Sequence, residues 1–182
     1  MMHLAVAIND KDRELMPIFV SIFTLSKSYH TELVFSNGEA VICGPSGIYF
    51  GTRTYDKYHW VLVPIPWITE DEEEEVRVWC QKVVDEHPKY DWLGAICGGI
   101  SAFIENPKKW FCSELCCAAL QPYTEPLSKD ATNIFLRKWW TPELLWRTVS
   151  EYLADNFPDY SNGWKIEYGN LASGGIKKKF SD

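Results

Sequence analysis

Asn37 and Gly38 stand between two β-leaning runs, YHTELVF and EAVICG. That dipeptide adopts the positive φ angles a tight hairpin needs, so residues 29–44 are expected to fold back as an antiparallel pair. HLAVAIN near the start and YHWVLVPI at 58–65 supply two further strand candidates. Pro64 and Pro66 close the second, because proline cannot donate to a ladder. The run ELMPIFVSIFTLSKS at 14–28 suits a short helix begun or interrupted near Pro17.

Beyond residue 67 the period changes. TEDEEEEVRVWCQKVVDEH offers Thr69 as an N-cap and acids in the first turn, where the helix dipole favours them. Val76, Trp79, Val83 and Val84 then recur at helical spacing, and His87-Pro88 ends the helix. A glycine-interrupted segment, YDWLGAICGGISAFI, follows. CSELCCAALQ and TPELLWRTVSEYLADN are further helices, the latter with Thr141 as N-cap and Pro142 at the first helical position. Strands early and helices late predict an α+β fold, with an antiparallel sheet from the N-terminal half packed against helices from the C-terminal half.

At 182 residues the chain suits one domain spanning 1–182, with 1–20 and 163–182 peripheral. The net charge of -7 argues against a general nucleic-acid binder, which needs basic surface to neutralise phosphates. The acidic run Glu70 to Glu75 reads as a solvated helix start. The opening residues carry no basic leader, and no apolar run approaches the roughly 18–20 residues that span a bilayer. A cytoplasmic location and reduced cysteines are therefore expected for all six Cys.

The chemistry concentrates in KKWFCSELCCAALQ, residues 108–121. Cys112 opens a helix, where unpaired N–H groups and the positive dipole end favour a thiolate. Cys116 and Cys117 lie deeper in the same helix. Three alternatives stand: small buried hydrophobes, a zinc site, or a nucleophile. Zinc is disfavoured because no Cys-x-x-Cys pair is present. A nucleophile needs a base, and His30 opens the strand YHTELVF. Alternation puts His30, Glu32 and Val34 on one strand face.

SYHTELVFSNG, then KYDWLGA, then WFCSELCCAAL resembles the circularly permuted NlpC-type cysteine hydrolases. These form the permuted branch of the papain-like superfamily and are relatives of the lecithin–retinol acyltransferases. The resemblance runs from about Thr24 to Leu120, with TPELLW a later match. It implies a permuted papain-like fold with Cys112 as nucleophile and His30 as general base, and no metal or organic cofactor. A third polar group should orient the imidazole. Some relatives place a glutamate or second histidine on the opposing strand, but a two-residue Asn37-Gly38 loop would bring Cys43, Pro45 or Ser46 there. Either the orienting role is weak here, or Glu32 or Ser46 fills it, with Glu32 preferred. Tyr90 resembles part of the cleft wall. Trp110 and Phe111 either line the substrate groove or staple the helix start. The implied activity is hydrolysis of a peptide or isopeptide amide bond through an acyl-enzyme. Acyl transfer or thioesterase action on lipid acyl groups, and a non-catalytic binding module, are the alternatives.

Overall fold

The structure, a computed structural model, describes residues 1–8, 28–44, 46–56, 58–86, 110–129 and 140–161. The expected helix before residue 28, the segment containing Tyr90, and the chain from 162 lie outside the described residues. Five strands form one antiparallel sheet: β1 His3–Ile8, β2 Ser28–Val34, β3 Glu39–Gly44, β4 Gly47–Thr52 and β5 Trp60–Pro64. Their order across the sheet is β4-β3-β2-β1-β5. The described helices all follow: α1 Glu70–Glu86, α2 Cys112–Leu120, α3 Glu125–Lys129, α4 Pro142–Asn156 and α5 Pro158–Ser161. The chain is thus α+β, and among the described residues the strands precede the helices.

The β2–β3 connection differs from the expected two-residue turn. Phe35 N–H donates to Glu39 O at 2.8 Å and Gly38 N–H to Phe35 O at 2.9 Å, enclosing a three-residue loop. Gly38 holds φ 85°, the left-handed position that ends such a loop. The register moves by one, to Leu33↔Val41 and Val34↔Ala40. Pro45 and Ser46 are therefore not what a continued ladder would set opposite His30. Strand β4 has no counterpart in the sequence-based expectations. It pairs with the whole of β3, from Glu39↔Thr52 to Gly44↔Gly47, and Gly47 takes φ 114° where the chain reverses.

The sheet's two faces carry different loads. Leu4, Val6, Leu33, Val41, Cys43, Val61 and Val63 meet the helices, packing with Val76, Cys80, Leu115, Leu120, Leu145 and Val149. Alternation puts Ala5, Val34, Ala40 and Ile42 on the other face, covered by Tyr55, Trp60 and Leu62. In α1 the inward stripe is Glu73, Val76, Cys80 and Val83. Glu73 corrects the solvated reading of the acidic run. It is 8 % exposed and accepts the Ser36 N–H from the β2–β3 loop. Thr69 and Glu72 close a reciprocal cap at the start of α1: Thr69 N–H donates to Glu72 at 2.8 Å, and Glu72 N–H to Thr69 Oγ1 at 3.3 Å.

Thr141 caps α4 by accepting Leu144 N–H at 3.2 Å, and Pro142 follows it. Thr141→Ala is expected to cost about 1 kcal/mol, the usual worth of a threonine cap. Urea unfolding checks this; an unchanged midpoint would mean that α4 is held by packing alone.

Candidate active site

The site forms where the sheet opens. The β2–β3 ladder consists of Leu33↔Val41 and Val34↔Ala40, so β2 from Ser28 to Glu32 is no longer held by β3. On its other side β2 stays paired with β1, but the register slips between Ala7 and Ile8, so that Ile8 faces Ser28. Such a bulge bends a strand and re-aims its side chains. His30 lies beside it.

The start of α2 meets this opening. Cys43 Sγ donates to Trp110 O at 3.4 Å, tying the residues before the helix to β3. Phe111 is the N-cap residue, extended at φ -115° and ψ 165°, with no side chain able to cap. The first helical hydrogen bond runs from Leu115 N–H to Phe111 O at 3.0 Å. The N–H groups of the first turn are thus left for other acceptors. The Cys112 sulfur interacts with the His30 imidazole and with the backbone N–H groups of Thr31 and Ser113.

Three of the residues singled out from sequence therefore meet. His30 Nε2 lies 3.0 Å from Glu32 Oε1. Cys112 is 3 % exposed and the His30 side chain 18 %, so the imidazole is the more open member of the pair. Glu32 is 0 % exposed, yet both its oxygens are occupied. Oε1 also meets Arg53 Nη2 at 3.1 Å, and Oε2 accepts the Tyr55 hydroxyl at 2.7 Å. The Trp110 ring packs edge-on against Trp79 of α1 at 5.8 Å. Tyr90 lies outside the described residues.

Arg53, Tyr55 and Trp60 were not anticipated. Both His30 and Trp60 face Ala7, from the strands on either side of it. Strands two apart are separated by about 10 Å, but the two rings stand 6.0 Å apart because alanine leaves room to lean over β1. Arg53 and Tyr55 belong to the segment following β4. The alternation in TRTY would have exposed them only to a reader who had recognised β4 as a strand.

The ionisation of the pair follows from this packing. Burial alone would lower the imidazole pKa. The Cys112 sulfur and then Glu32 more than offset it, raising His30 to about 10. Burial pushes the Cys112 thiol up, but His30 and the two N–H groups pull it below the ordinary value. The arrangement favours thiolate and imidazolium together. Cys80 and Cys116 have no such partner, and burial pushes Cys80 up to about 12 and Cys116 well above its usual value. Iodoacetamide at neutral pH should therefore modify Cys112 ahead of Cys80 and Cys116, as mass mapping would reveal. Faster modification of Cys80 would invert the order that these surroundings require. Among the described residues no group of three His, Cys, Asp or Glu side chains is placed to hold a metal ion, and no helix is long and apolar enough to cross a membrane.

Comparisons with protein-family models, with curated proteins and with solved structures return no match for this chain.

Proposed function

We propose that the protein is a cysteine hydrolase of permuted papain-like architecture, with the base upstream of the nucleophile in the chain. Within that class, the reading is an amidase or peptidase that opens a peptide or isopeptide bond. The observation that carries it is the run of contacts from the Cys112 sulfur through His30 to the buried Glu32.

In this reading the thiolate of Cys112 attacks the carbonyl carbon and the C=O electron pair moves onto oxygen. Backbone N–H groups at the head of α2 stabilise that oxyanion. Collapse expels the amine, which takes its proton from imidazolium His30, and an acyl-enzyme remains. Neutral His30 then accepts a proton from water as the oxygen attacks the acyl carbon. Acid departs and the thiolate returns. Glu32 orients the ring and balances its charge when it is protonated, in a buried setting where an unpaired imidazolium would be costly.

The test is turnover of a library of blocked peptides, isopeptides, N-acyl amines and fatty-acyl esters, with Cys112→Ser as the matched control. Amide cleavage lost in Cys112→Ser supports the reading. Ester or thioester turnover without amide turnover would move the assignment to lipid acyl chemistry. No Cys112-dependent turnover, with an unreactive thiol, would point to a binding module.

A further inference from the structure

Glu32 is an expensive residue in its position. A carboxylate with no solvent contact is tolerated only when donors fill its oxygens. Of its three partners, His30 alone leads toward the sulfur. The other two, Arg53 and Tyr55, come from the segment after β4 and reach the carboxylate from outside the β1–β2 pair. Arg53 is 39 % exposed and shares Oε1 with His30. The Tyr55 hydroxyl holds the opposite oxygen, Oε2, at 2.7 Å. A carboxylate gripped at Oε2 cannot rotate Oε1 away from His30 Nε2 without breaking that bond.

Tyr55 is itself fixed. Its ring stands edge-on to Trp60 at 5.1 Å and 87°, and Trp60 also meets the His30 ring at 6.0 Å and 75°. Arg53 lies over the same indole at 5.4 Å. The titratable groups around the Tyr55 hydroxyl are Glu32, Arg53 and, from α2, Cys116. Burial, followed by the neighbouring Glu32, raises the phenol pKa, so the hydroxyl remains a donor throughout the working range.

We infer that Tyr55 is a positioning residue: its hydroxyl locks the Glu32 carboxylate so that Oε1 faces His30 Nε2 and the imidazole is held in place for Cys112. The inference rests on the proposed Cys112–His30 site and extends it by one shell. It predicts that Tyr55 has no contact with substrate and acts only through Glu32.

The experiment compares the pH profile of Cys112 alkylation by iodoacetamide in four proteins: wild type, Tyr55→Phe, Glu32→Gln and the double variant. Tyr55→Phe keeps the ring and its contact with Trp60 but removes the donor. Its midpoint should rise, with about tenfold slower labelling on the acid side, a one-unit displacement of the profile. In the Glu32→Gln background the same change should move the profile no further, because the route through the carboxylate is already cut. Tyr123 makes a similar bond, donating to Glu75 at 2.7 Å on the surface, so Tyr123→Phe serves as a control that should leave the profile unmoved. A Tyr55→Phe midpoint equal to wild type overturns the inference while leaving the proposed site intact. A wild-type midpoint no lower than an ordinary thiol's overturns both. Should Tyr55→Phe alone be too unstable to label, the Glu32→Gln pair still decides. There no buried carboxylate awaits a donor, and a further rise would show Tyr55 acting by another route.

Discussion

Replacing His30 with alanine is expected to slow alkylation of Cys112 at neutral pH by about 100-fold or more, because the thiol loses the cation that holds its pKa down. The sulfur is buried, and burial by itself drives a thiol upward, as it does for Cys80 and Cys116 in the same core. In Cys112 that penalty is offset by the imidazolium and by the N–H groups of Thr31 and Ser113. Alanine removes the charged member of that set. The remaining two donors are neutral, and a neutral hydrogen bond is worth about half a charge-assisted one. Burial then dominates, and the thiol returns toward or above its ordinary value of 9.0. At sufficiently alkaline pH the variant and wild type should converge, because both are then thiolates. Equal rates at neutral pH would mean that the imidazole does not ionise the sulfur.

The largest expected stability effect lies at Glu32. Glu32→Ala should cost about 3 kcal/mol, the usual scale for removing one partner from a buried charged network. The truncation leaves the Tyr55 hydroxyl and the His30 Nε2–H without their acceptor and opens a void beside Ala5. For a chain of this size that corresponds to a fall in Tm of about 6–12 °C. Glu32→Gln should cost less, because the side chain keeps its volume and its carbonyl oxygen can still accept from His30 or Arg53. Paired thermal unfolding of the two variants is the check. If alanine proves no worse than glutamine, the buried carboxylate is not an organising centre of this face.

How much of this was legible in the residues varies with the range of the interaction. Thr141-Pro142 and Thr69 announced the starts of α4 and α1 because capping is decided within four residues. Period-two alternation placed Glu32 on the same face as His30, and the 3.0 Å contact uses that placement. The hairpin was legible as a hairpin, but its loop length was not, since Phe35↔Glu39 closure rather than a Ser36↔Glu39 turn depends on packing of the flanking strands. Strand β4 was hidden by the glycines of GIYFGT, which dilute the β pattern. Losing it also hid Arg53 and Tyr55, whose meeting with Glu32 is fixed only once β4 is laid against β3. Glu73 was misread because an acidic run looks solvated, and nothing local reveals that the Ser36 N–H needs an acceptor.

The central claim is that Cys112 is already a thiolate at neutral pH because His30 carries the proton. The most direct measurement is the ultraviolet thiolate absorbance of wild type minus that of Cys112→Ser, followed across pH. The account predicts an ionisation step on the acid side of 9.0, which is lost in His30→Ala. A step at or above 9.0 in the wild type would contradict it.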